Sequence, residues 1–304
     1  MRFMLLKFTI VLLLSQFFTE LQSQESKIVK HQRNLIILGY LDYELVGRDT
    51  IPVPDFIASG FLLDIEGVHH LVTAKHVIVQ LDQKGNPTNN VKPESKSLYA
   101  FFYKKDGTVG WRSLREIQEK FQCHWIFHNN PLVDIAMLPY DIETSIDAVE
   151  TYKLDSLIES KKMLELNPIF FVSFHPDLSS YQDLNPIFRS GIVSKINKDR
   201  TILLDAFAFP GNSGSPVFLT PALTEYYDDG GMSLGFSERH GLVGVVGEYI
   251  AYRDVAISKQ TKHTRVVFEE NSGIVKIWTS DFIKEIVNQE NMVQQLNRIK
   301  LLKK

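Results

Sequence analysis

Cysteine is almost missing from this 304-residue chain. Cys123 stands alone, so no disulfide can form within it and the fold must rest on core packing. With nothing around it to mark a thiolate site, Cys123 reads as a small, partly buried apolar residue and not as a nucleophile. A strong charge imbalance is missing too. The formal net charge of −3 gives no pull toward nucleic acid or acidic membranes. The one local basic excess, Arg298, Lys300, Lys303 and Lys304, reads as a solvated tail. The H-E-x-x-H zinc pattern, the Walker loop and the dinucleotide glycine pattern are all lacking, so neither metal nor cofactor is implied. There is no heptad, internal repeat or low-complexity block.

Long apolar runs are confined to the start. Arg2 and Lys7 precede an apolar stretch from Phe8 to Phe18, and polar Thr19, Glu20, Gln22 and Ser23 follow. This is the order of a secretory signal peptide, and the run is too short to span a bilayer comfortably. Residues 1–23 are therefore expected to be a cleaved signal, with a polar leader at 24–34. The expected location is secreted or periplasmic, without stable membrane insertion.

From Leu35 onward the sequence reads as short apolar or alternating runs. They are Leu35–Leu41, Phe56–Ile65, His70–Thr73, Leu98–Phe102, Trp125–Phe127, Ile135–Leu138, Pro168–Phe174, Ser190–Ile196, Thr201–Phe207, Ser215–Leu219, Gly241–Ile250 and Thr264–Glu269. Gly, Pro, Asn and Asp separate them, which predicts strands. Helical periodicity shows at Leu114–Phe121 and near the end. There Ser280 and Asp281 offer N-caps before an apolar stripe of Phe282, Ile283, Ile286 and Val287. Many strands without alternating helices predict an all-β sandwich or barrel. Thr220–His240 and Ala251–Lys262 read as inserted surface loops.

Three passages carry chemistry: Leu71-Val72-Thr73-Ala74-Lys75-His76, Val133-Asp134-Ile135-Ala136 and Pro210-Gly211-Asn212-Ser213-Gly214-Ser215. Singly, each has a structural explanation: a core histidine, a turn-capping aspartate, a tight glycine turn. Together they supply complementary needs. A serine hydroxyl needs an imidazole to take its proton, and the imidazole needs a carboxylate to fix its tautomer. Glycines beside the serine let two backbone N–H groups converge where an oxyanion would form. A G-x-S-x-G elbow is absent and the histidine comes first in the chain, which excludes an α/β-hydrolase. His69 and His70 lie in the strand before the motif and read as structural.

These passages, in the order His, Asp, Ser, resemble the trypsin/chymotrypsin-like serine peptidases. They are similar to the bacterial branches that include glutamyl endopeptidases and periplasmic heat-shock proteases. Ser59-Gly60-Phe61-Leu62, Gly191-Ile192-Val193-Ser194, Gly241–Gly247 and Gly273-Ile274-Val275 fit the same pattern. The resemblance implies two six-stranded antiparallel β-barrels with a C-terminal helix over residues 35–288, split near 150–165. Residues 289–304 are left as a basic tail, with no room for a PDZ-type module. It implies a serine endopeptidase acting on polypeptides, with Ser213 as nucleophile, His76 as base and acid, and Asp134 as the orienting carboxylate. The N–H groups of Gly211 and Ser213 would form the oxyanion hole, and no cofactor is called for.

The chain departs from that pattern at Gly247, where a serine often supports the aspartate, and at Glu248 beside it. Phe207 stands where trypsin-like members carry an acid. Phe207, Val246, Gly247 and Glu248 are thus expected at an apolar or small S1 pocket. The alternative is a silent protease-fold protein that binds peptides or partners without cleaving.

Overall fold

The computed structural model describes residues 29–220, 224–226, 232–234 and 241–302. The signal-type segment 1–23 and most of the insertion at 220–240 lie outside them.

The first half is an eight-stranded sheet. Its path runs Val109–Ser113, Tyr99–Tyr103, Leu35–Val46, Asp49–Ile65, Val68–Thr73, Ala136–Pro139 and Ile126–Phe127, and Tyr152–Lys153 pairs with Asp49–Ile65 in parallel. The second half is a closed six-stranded barrel of Pro168–Ser173, Ile187–Ile196, Thr201–Asp205, Thr264–Thr279, Leu242–Ile257 and Pro216–Leu219. The chymotrypsin-like all-β architecture is therefore present. The first half differs in detail, because its sheet is wider than six strands and does not close.

Each half has its own core. Phe61, Leu62, Leu71, Val72, Met137 and Leu138 lie in the first, and Phe171, Val193, Leu204, Val217, Val243, Val246 and Ile277 fill the barrel. A third cluster joins them, in which Leu35, Ile37, Phe56 and Phe101 meet Val172, Phe174 and Leu184. There the Phe56 and Phe174 rings meet edge to face at 5.7 Å. This apolar seam fixes the separation at which residues from the two halves can meet.

Three expectations change. The last residues are not a free tail: Glu290–Leu302 is a helix whose Met292, Leu296 and Ile299 are buried in the first core. Their spacing is helical, and the Gln295 side chain ties the helix down by accepting from His124 N–H and donating to its carbonyl (2.9 and 3.1 Å). The preceding helix, Ser280–Val287, begins after Thr279, whose side chain makes no capping hydrogen bond, while the Asp281 carboxylate accepts from Ser160 N–H and hydroxyl. Ala251–Lys262 is not a plain loop, because strand Leu242–Ile257 runs through most of it and pairs with Thr264–Thr279. At the other end the leader is helical at 29–34, with Asn34 fully buried and bonded to both backbone groups of Leu62.

Candidate active site

His76 sits in the one-turn helix Lys75–Ile78 that follows strand Val68–Thr73. Asp134 precedes strand Ala136–Pro139, which pairs with Val68–Thr73 and so brings the carboxylate beside the histidine. Asp134 Oδ1 accepts from the His76 backbone N–H and Oδ2 from its Nδ1, both at 2.7 Å. A carboxylate accepts, so Nδ1 carries the proton and Nε2 is left as the acceptor. Ser213 Oγ, from the barrel, lies 3.0 Å from that Nε2 and 3.1 Å from the Gly247 carbonyl.

The serine is held by a turn that only glycine permits. Gly211 and Gly214 have φ of +96° and +88°. A Cβ on Gly214 would lie 2.0 Å from the Ser59 carbonyl, and one on Gly211 would lie 2.7 Å from the Phe174 ring. Ser59 clamps the turn across the seam: its N–H donates to Ser213 O (2.8 Å) and its hydroxyl to Gly211 O (2.9 Å). The fully enclosed Asn212 side chain holds Phe209 N–H and Phe174 O.

Within this turn the N–H groups of Asn212, Gly214 and Ser215 are bonded to Phe209, Val246 and Asn212 carbonyls. Those of Gly211 and Ser213 donate to no described group. The N–H donors of Gly211 and Ser213 are thus left unspent at the serine, and an oxyanion hole needs two such donors aimed at one point.

The electrostatics favour a base. Burial works against the charged imidazole, but Asp134, by charge and hydrogen bond, more than offsets it, so the His76 pKa is raised; Lys92 opposes this and Glu248 adds to it. A raised folded value means that the imidazolium stabilises the fold. That contribution is complete below the ordinary histidine range and is lost as pH climbs through the raised value.

Two lysines escaped the sequence reading. Lys92 Nζ donates to the His76 carbonyl at 2.9 Å. Lys75, fully buried, donates to Asn89 Oδ1 and Pro131 O and lies 5.2 Å from the Phe127 ring centre. Lys92 belongs to no recognisable motif, and Lys75 lies within the Leu71–His76 passage, where a lysine inside an apolar run was the only signal of its role.

The remaining site residues divide. Phe207 is 57% exposed and stands beside Gly273, and Phe209 is 39% exposed. Val246 has its side chain in the barrel core, and its N–H and C=O are bonded to Ser215 O and Gly214 N–H, so its backbone is already engaged by the nucleophile turn. Gly247 is explained by space, since a Cβ there would come within 2.9 Å of the Trp278 ring. Glu248 pairs with Lys276 at 3.3 Å. His70 is enclosed, with Nδ1 3.0 Å from Val68 O, and burial pushes the Cys123 thiol up to about 11. Among the described residues no cluster of three or more potential ligands could hold a metal ion, and no helix is long and apolar enough to cross a membrane.

No curated protein matches the chain. Similar solved structures include the HtrA-type protease AlgW with a decapeptide, at 12% identity and TM-score 0.44 over 87% of this chain and 67% of that one. The same protease with a tripeptide gives 14% identity and TM-score 0.42, covering 85% of this chain and 60% of that one. The serine endoprotease from Yersinia pestis gives 14% and 0.43, covering 88% of this chain and 65% of that one. The chain thus spans between 60% and 67% of the length of those structures. The family model described as trypsin-like peptidase domain matches residues 58–221, more than half of the chain and inclusive of His76, Asp134 and Ser213. By that match the chain belongs to the trypsin-like peptidase domain family.

Proposed function

We propose that this chain is an exported serine endopeptidase that cleaves polypeptides through an acyl-enzyme. His76 Nε2 takes the Ser213 proton as Oγ attacks the scissile carbonyl, and Asp134 stabilises the imidazolium that results. The Gly211 and Ser213 N–H groups receive the oxyanion. His76 then protonates the leaving amine, and water, deprotonated by the same imidazole, hydrolyses the ester. The observation that carries this reading is the unbroken line Asp134–His76–Ser213 at 2.7 and 3.0 Å beside two unspent N–H donors. A silent binder would have no need to keep those donors free.

The acyl-side residue is proposed to be apolar. Phe207 and Phe209 are exposed on the segment leading to Ser213, and the Arg189 guanidinium lies 4.8 Å from the Phe209 ring centre, where it disfavours a second cation. Incubation with a peptide library tests both points. Internal cleavage after Leu or Phe, lost in Ser213→Ala, supports the reading; no cleavage, or a clear preference for Arg, contradicts it. Export rests on the signal-type order of residues 1–23, and a mature N-terminus near residue 24 in extracytoplasmic material is its test.

A further inference from the structure

The buried lysine beside the base has no part in the steps written above. Lys75 directly precedes His76 and is wholly enclosed. Its Nζ donates to two uncharged acceptors, Asn89 Oδ1 (2.8 Å) and Pro131 O (3.1 Å), and lies over the Phe127 ring. Enclosing an ammonium group is costly, and neutral acceptors offset that cost only in part. Burial accordingly holds the Lys75 pKa below the ordinary lysine value, with the charge of Asp134 acting the other way. If the fold needed only volume here, methionine would serve it as well.

What the lysine grips is the segment that presents Asp134. That segment joins strands Ile126–Phe127 and Ala136–Pro139 and belongs to neither. Its own bonds are local: Val133 N–H donates to Asn130 O and Leu132 N–H to Asn130 Oδ1, both at 3.1 Å. Lys75 meets it at two points, the Phe127 ring where it begins and the Pro131 carbonyl three residues before Asp134. One residue thus has its backbone joined to His76 and its ammonium on the approach to Asp134. The Asn89 bond adds the hairpin of Val79–Leu81 and Pro87–Val91, beyond which Lys92 Nζ reaches the His76 carbonyl.

We propose that Lys75 is a positioning residue for the reaction: its ammonium, held on Pro131 O, fixes the segment before Asp134 so that the carboxylate stays on His76 Nδ1 while the imidazole gains and loses its proton. The proposal rests on reading His76 as the base and Asp134 as its orienting carboxylate. The ring must keep one orientation through both proton transfers, and a small drift of the carboxylate would let it turn. A tether from the residue next to His76 opposes that drift directly.

The test is Lys75→Met, which keeps the length of the side chain and removes its charge and its donor. Asn89 and Pro131 are exposed residues, so water can replace the ammonium at both acceptors and neither is left orphaned. Three quantities are measured: kcat and KM, denaturant unfolding, and the proton resonance of His76 Nδ1–H. A bond to a carboxylate moves that resonance downfield and slows its exchange with water, and its displacement in Asp134→Asn identifies it. Lys75→Met should be at least as stable as wild type, yet lose about tenfold or more in kcat with KM little changed, and its Nδ1 proton should exchange faster. Asn89→Ala, which removes the other partner alone, should keep the kcat and the resonance of wild type. Should Lys75→Met fail to fold, Lys75→Gln, uncharged and shorter, carries the same expectations for kcat and the resonance. A Lys75 variant that keeps both as in wild type overturns the proposal, since the lysine would then serve the fold alone. So does an equal loss in Asn89→Ala, which would assign the effect to the hairpin. A wild-type chain without turnover would instead sink the reading of Ser213, and the Nδ1 proton would still decide whether Lys75 holds Asp134 on His76.

Discussion

The two halves hold their share of the site by different physics. The first sheet holds the base with charges: Asp134 grips His76 at Nδ1 and N–H, Lys92 takes its carbonyl, and buried Lys75 stands one residue away. The barrel holds the nucleophile with shape: two positive-φ glycines, a buried Asn212 and the cross-seam Ser59 clamp, with no ion pair in the turn itself. Sensitivity to pH should therefore reside in the first half, and intolerance of added volume in the second.

Substitutions at four positions sharpen or break that contrast. Ser213→Ala should reduce kcat by about six orders of magnitude with substrate binding retained, measured by turnover and by titration with an uncleaved analogue. Asp134→Asn should cost about four orders, through the wrong imidazole tautomer, with the fold intact by circular dichroism. In the barrel, Gly214→Ala should act on stability, by about 3 kcal/mol in denaturant unfolding, because a Cβ would collide with the Ser59 carbonyl and φ is +88°. A Gly214→Ala protein as stable as wild type would contradict the steric account.

The smallest effect belongs to Lys92. Removing its charge relieves the imidazolium of a nearby cation, so the His76 pKa rises further and the ascending limb of the pH–rate profile moves to higher pH. Lys92→Met and Lys92→Gln should share that displacement. Only Lys92→Met, which also loses the donor to His76 O, should lower the plateau, by about fivefold. An unmoved limb in both would mean that Lys92 acts through packing alone.

What was legible in the sequence was what repeats locally. Thr73-Ala74-Lys75-His76, Asp134-Ile135-Ala136 and the glycine-bracketed Ser213 are compact passages, and the strands feeding them are buried on at least one face, which imposes a pattern. The residues that escaped are joined only in space. Ser59 meets Gly211 across 152 positions, and Lys92 reaches His76 from a polar excursion with no periodicity. The outer run of strand Leu242–Ile257 was missed for another reason. From Tyr252 to Ile257 both faces meet solvent, so no alternation separates a buried side from an open one. The helix Glu290–Leu302 could have been found, because Met292, Gln295, Leu296 and Ile299 keep one helical face.

The central claim is that Ser213 is made nucleophilic by His76 and Asp134. Its most direct measurement is the intact mass of the folded chain after exposure to a fluorophosphonate, with the adduct mapped by digestion. The account predicts one adduct, on Ser213, in the wild-type chain and none in His76→Ala. An unlabelled wild-type chain, or equal labelling of the His76→Ala protein, would contradict it.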